Sequence, residues 1–204
     1  MKTKNHANEN YVHNCGEPQI VLENYIASLF QMGFHADESI DILDFYLFHA
    51  PVLTSSKMDD RFGQQSLRKL GWVGNPDMSR LEGKLLKAAD MGIFCFVKSD
   101  SIDSTLDNMN LGERICINHP RAVLKQNYSV SIQEDGNVLL SQKETRMECL
   151  FRHIRNSFAH NHTYCFENDS VLLEDCEENG KISARILMPK QALIDWIYII
   201  KKEQ

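Results

Sequence analysis

The segment Arg155-Asn156-Ser157-Phe158-Ala159-His160 places an arginine, an amide and a histidine within six residues. Arginine is shaped to grip a phosphate with two parallel donors. Histidine takes and gives a proton near neutral pH. Together they suffice for RNA cleavage without a metal or other cofactor. In such chemistry His160 would remove the proton of a 2′-hydroxyl, the oxygen would attack the adjacent phosphorus, and Arg155 would stabilise the charge growing on the phosphoryl oxygens. Asn156 orients a phosphate oxygen or the imidazole, and a second histidine, for instance from another subunit, protonates the leaving 5′-oxygen. The product carries a 2′,3′-cyclic phosphate, and DNA, lacking the 2′-hydroxyl, is not a substrate. A plainer reading exists: arginine and histidine are common in the last turns of helices, where they complement the dipole and cap carbonyls.

Helix geometry constrains the chemical reading. Five residues on a regular helix span about 7.5 Å and about 140° of rotation, so Arg155 and His160 do not meet on one straight helix. Either the helix loosens near 159–161 and His160 swings back, or two copies of the helix pack together. In the second case the arginine of one chain serves the histidine of the other, which predicts a homodimer through this helix with a composite cleft.

The elements that must position these residues are read from periodicity. Residues 1–15 read as a polar leader without the apolar core of a signal peptide. Helices are expected from Pro18 to Gly33, from Asp37 to Ala50 with Ile40, Leu43, Leu47 and Phe48 on one side, over 58–70, and over 79–91 after a Gly74-Asn75-Pro76-Asp77 turn. Residues 93–97 read as a buried strand, and 99–127 as polar and loop-like with a short strand at 115–117. A hairpin covers 128–140 with Asp135-Gly136 at its turn. Helix 143–160 follows, with Met147, Leu150, Phe151, Ile154 and Phe158 as its apolar face. A second hairpin joins 164–174 to 181–188 through Asn179-Gly180, and Pro189 starts a last helix containing Trp196. These elements imply a mainly α, α+β fold: one helical domain over 16–204 with two small β-hairpins, its part 16–127 helical and of uncertain kind.

Composition narrows the partners. The net charge is −6, with 10 Lys/Arg against 13 Asp/Glu in residues 1–100 and 12 against 15 in 101–204. No basic tail or domain exists for broad duplex binding, although segment 143–160 is locally +2. The six cysteines show no CxxC pair, which disfavours a zinc ribbon or disulfide framework and suits free thiols in a reducing cytosol. No window approaches 18 consecutive apolar residues, so no membrane span is expected, and the localisation expected is cytoplasmic.

Other residues near the hexapeptide carry chemistry of the same kinds. His162 is either a second acid/base group or a surface residue. Arg152, one turn from Arg155, extends the phosphate grip or pairs with Glu148 four positions earlier. His153 is about 200° around the helix from Arg155 and is expected to be exposed or satisfied locally. The run Glu174-Asp175-Cys176-Glu177-Glu178 reads as a solvated hairpin tip without calcium-loop spacing. Residues 81–97 faintly suggest a winged helix, but only Arg80, Lys84 and Lys87 would furnish its recognition face.

The stretch Leu150-Phe151-Arg152-His153-Ile154-Arg155-Asn156-Ser157-Phe158-Ala159-His160 resembles the signature helix of the HEPN superfamily, an Arg followed after four to six residues by a His, with a polar residue directly after the Arg. Arg155, Asn156 and His160 match those positions. The continuation through Tyr164-Cys165-Phe166, Leu173-Glu174-Asp175, 180–186 and the Trp196 helix is similar to a branch found on plasmids and in bacterial conflict systems. The resemblance covers roughly 143–204. It implies a helical bundle dimerising through the motif helix and acting as a metal-independent endoribonuclease in a toxin–antitoxin or antiviral setting, with a cognate antitoxin or immunity protein as a possible partner. Asn161 departs from the pattern, because a glycine often follows the histidine in relatives. The alternative is an inactive module using the same helix for dimerisation or RNA contact.

Overall fold

The computed structural model describes residues 33–52, 66–111, 119–133, 138–142, 144–166 and 168–202. The expected leader, the helix 18–33, most of the helix 58–70, the strand 115–117 and the Asp135-Gly136 turn lie outside these residues. The first described helix, α1 (Ala36–Leu43), runs into a π-helical turn at Asp44–Phe48. It is followed by α2 (Gly74–Ala88), β1 (Phe94–Val97), a 3-10 turn, α3 (Ile102–Asn108), β2 (Arg121–Lys125), β3 (Tyr128–Ile132) and β4 (Val138–Gln142). Then come α4 (Arg146–Ala159), β5 (Thr163–Cys165), β6 (Ser170–Cys176), β7 (Ile182–Pro189) and α5 (Ala192–Lys201).

A five-stranded mixed sheet in the order β1-β2-β7-β6-β5 is the scaffold. This overturns the expected HEPN-like helical bundle with two small hairpins. The physical reason lies in β7, where Ser183 to Met188 are buried without interruption. A strand covered on both faces needs neighbours at both edges and layers above and below it. The expected second hairpin, β6–β7, is therefore the middle of a sheet. Its neighbour β2 pairs antiparallel to β7 and parallel to β1. Strand β2 and helix α3 both fall in the stretch expected to be a loop. The β3–β4 hairpin forms as expected but makes a sheet of its own.

Helices α1, α2, α4 and α5 cover one face of the sheet, where Leu85, Phe94, Leu124, Ile154, Ile186 and Trp196 belong to the main core. Helix α3 covers the other face through Ile102 and Leu106, packed with Val123, Leu172 and Leu187. Buried aromatic hydrogen bonds lock the helices together: Trp196 Nε1 donates to Leu85 O at 2.9 Å, Trp72 Nε1 to Ile200 O at 2.9 Å, and Tyr46 Oη to Leu193 O at 2.8 Å.

Two phases differ from expectation. Helix α1 buries Ser39, Ile42, Phe45 and Tyr46, while Ile40 is 63% and Phe48 57% exposed. The π turn, closed by His49 N donating to Asp44 O at 3.0 Å, changes the angular step and shifts the buried face. Helix α2 starts at Gly74 rather than after the Pro76 turn. Proline is tolerated in a first turn because that N–H has no helical partner, and Asp77 Oδ2 accepts the Val73 N–H at 3.1 Å.

Candidate functional site

Helix α4 opens on a capping box. Glu148 N donates to Thr145 Oγ1 at 3.2 Å, and Thr145 N donates to Glu148 Oε2 at 2.8 Å. It closes on a Schellman motif: His162 N donates to Ser157 O at 2.8 Å and Asn161 N to Phe158 O at 3.3 Å, with Asn161 left-handed at φ 59°. Asparagine thus fills the turn position that glycine commonly takes.

The polar side of α4 carries Cys149, Arg152, His153, Asn156 and, at its end, His160, which lie within about 100° of one another. His153 is fully buried. Its Nδ1 is 2.7 Å from Asp175 Oδ2 and its Nε2 2.8 Å from Lys125 O. Both ring nitrogens are therefore engaged inside the protein, and His153 holds the end of β2 and the end of β6 to the helix. Its expected local or exposed setting is corrected by this pair. Asn156 Nδ2 donates to the same Asp175 oxygen at 3.1 Å.

Arg152 does not pair with Glu148, whose carboxylate is used by the helix cap. It donates through Nε and Nη2 to the two oxygens of Glu144, at 2.8 and 2.7 Å, and through Nη2 to Lys125 O at 3.1 Å. Its Nη1 lies 3.9 Å from Asp175 Oδ2. Burial raises the proton affinity of Asp175, but the hydrogen bond and charge of His153, with Asn156 and Arg152, outweigh it and hold the carboxyl below its ordinary value. Burial likewise opposes ionisation of Glu144, and Arg152 reverses the balance.

The acidic run is also corrected. Glu174 and Asp175 are buried strand residues facing opposite sides of the sheet. Glu174 sits opposite Arg185 in the β6–β7 register and accepts from its Nε at 2.5 Å, while Asp175 reaches α4. Cys176 ends the strand, and only Glu177 and Glu178 belong to the turn. There Glu177 accepts a hydrogen bond from Lys125 Nζ, and burial with the neighbouring Glu174 and Asp175 pushes the Cys176 thiol up to about 12. Among the described residues Cys95, Cys149, Cys165 and Cys176 are free thiols, and no three His, Cys, Asp or Glu side chains converge as a metal site. No described helix is long and apolar enough to cross a membrane.

Between these elements lies a pocket of 160 Å³, lined by Lys125, Asn127, Arg152, Asn156, Asp175 and Glu177 with His153 beneath. The sequence-expected residues thus divide. Arg152 and Asn156 line the pocket. His160 is exposed at the helix end, its ring centroid 6.3 Å from that of half-buried His162. Arg155 lies on the far flank of the helix, half-buried, and its Nε is enclosed without a hydrogen-bond partner among the described residues. Helix α4 stays regular through Ala159, so His160 does not swing back toward Arg155. Sequence reasoning missed His153, Asp175, Glu144 and Lys125, whose partnership spans residues far apart in the chain.

No protein-family model, no curated protein and no solved structure matches this chain.

Proposed function

We propose that the exposed end of α4 cleaves RNA without a metal, with His160 and His162 as the acid–base pair and Arg155 of a second copy as the phosphate anchor. The observation that carries this reading is the pair of imidazoles, 6.3 Å apart, set side by side by the left-handed Asn161. One ring takes the 2′-hydroxyl proton and the other protonates the leaving 5′-oxygen across a phosphate lying between them. The Nε of Arg155 is enclosed, so the terminal nitrogens of this half-buried guanidinium are the donors that would meet a phosphate. The flank of half-exposed Glu148 and Arg155 with exposed Ala159 offers a small residue where a second helix would approach. The local resemblance of 150–160 to the HEPN signature helix agrees with this assignment, whereas the sheet scaffold lends it nothing. A toxin or defence role with a cognate antitoxin belongs to the same proposal.

End-labelled single-stranded RNA incubated with purified protein in EDTA tests it. Cleavage that falls at least 100-fold in His160→Ala, His162→Ala and Arg155→Ala, with unchanged folding, supports the enzyme. Equal cleavage by wild type and variants leaves the non-catalytic dimerisation or RNA-contact module as the function.

A further inference from the structure

The pocket beside this helix end has chemistry of its own. At 160 Å³ it is well below the 300–1,000 Å³ or so typical of sites for drug-sized ligands. It suits one small polar group. Three of its polar atoms make no hydrogen bond among the described residues. Arg152 Nη1 has no hydrogen-bond acceptor, because Nε and Nη2 serve Glu144 and Lys125 O. Asp175 uses Oδ2 for both His153 and Asn156, leaving Oδ1. Asn156 donates through Nδ2, leaving its Oδ1 as an acceptor. One cationic donor therefore adjoins two acceptors, with Arg152 Nη1 only 3.9 Å from the Asp175 carboxylate.

These atoms are held rigidly. The Asp175 side chain is 6% exposed and the Arg152 side chain 23%, and both are fixed by charge-assisted bonds. A ligand meeting them must present an acceptor next to donors on one edge. The Watson–Crick edge of guanine does so: O6 accepts, and N1–H and the N2 amino group donate. Adenine offers one acceptor (N1) and one donor group (N6) on that edge, and so leaves one of the two acceptors unmatched at a partly desolvated site. Uracil and cytosine each match in part.

The position fits a nucleotide as well. Asn156 and His160 are four residues apart on one face of α4, about 6 Å along its axis. A base seated at Asn156 brings its own sugar and phosphate toward the two imidazoles. We propose that this pocket receives a guanine base of single-stranded RNA and so directs cleavage next to guanine, an inference that rests on the nuclease reading above.

Guanosine 5′-monophosphate is the probe. Calorimetry with the full-length protein should show it binding at least tenfold more tightly than the adenosine, cytidine and uridine monophosphates. Asn156→Leu, which removes an acceptor and fills the pocket without disturbing the Arg152–Glu144 pair, should abolish that preference. His160→Ala should retain it, and sequenced cleavage ends should cluster at guanines. Equal affinity for the four nucleotides, or an unchanged preference in Asn156→Leu with native circular dichroism, overturns the pocket. The two claims separate cleanly. Guanine-selective binding without cleavage keeps the pocket and removes the nuclease, while cleavage indifferent to base and to Asn156→Leu does the reverse.

Discussion

Replacing His153 with alanine tests the arrangement that fixes α4 to the sheet. His153 is 0% exposed, and its partner Asp175 is 4% exposed. The substitution removes the 2.7 Å bond to the carboxylate and the 2.8 Å contact with Lys125 O, leaving a buried negative charge short of its main partner. Breaking a buried ion pair from one side costs about 3–5 kcal/mol. Asn156 at 3.1 Å and Arg152 Nη1 at 3.9 Å still face the carboxylate, so the low end, about 3 kcal/mol, is expected. For a chain of this size that lowers Tm by about 6–12 °C. Urea unfolding followed by circular dichroism measures it, with the double variant His153→Leu/Asp175→Leu alongside. Because the double variant buries no unpaired charge, it should recover at least half of the loss. A cost below about 1 kcal/mol for His153→Ala, or a double variant worse than the single one, would refute the reasoning.

Further consequences follow from the same geometry. Asp175 and Glu144 have folded-state values held below their ordinary 3.8 and 4.5. Their contribution is complete above the ordinary values and is lost as pH falls through the lower folded ones. The urea midpoint should therefore hold down to about pH 5 and drop below about pH 4, with a shallower drop in Asp175→Asn. Thr145→Ala removes the side-chain half of the α4 capping box and should cost about 1 kcal/mol in the same unfolding assay. Asn161→Val forces a β-branched residue into the left-handed turn, costing about 1–2 kcal/mol, whereas Asn161→Gly keeps the turn. If the imidazole pair depends on this turn, RNA cleavage falls in the valine variant and persists in the glycine one.

Helix α4 and the β6–β7 pair were legible because their signals are local: a 3.6-residue apolar stripe, a Thr-x-x-Glu cap and an Asn-Gly turn. The sheet was not. Strand β2 is five residues long and bounded by Arg121 and Lys125, whose charges masked a buried Ala-Val-Leu centre. Its pairing with β7 joins residues 60 to 66 positions apart, which no local pattern encodes. The site failed for a related reason. A buried histidine is stable only with partners, and those of His153 come from 28 residues before and 22 after it. One signal was available: the Asn179-Gly180 turn sets Glu174 opposite Arg185, so that acidic residue belonged to a strand rather than to a solvated tip. The resemblance of 150–160 to a family signature was local as well, and it carried no information on the scaffold around the helix.

The central claim concerns chemistry at the end of α4, and a DNA oligonucleotide containing one ribonucleotide, a guanosine, tests it most directly. Incubated with the protein in EDTA, it should be cut only on the 3′ side of that nucleotide, leaving a 2′,3′-cyclic phosphate, and should stay intact with His160→Ala. Cleavage at deoxynucleotides, a 5′-phosphate product, or an intact strand where wild-type protein is present in excess would contradict the account.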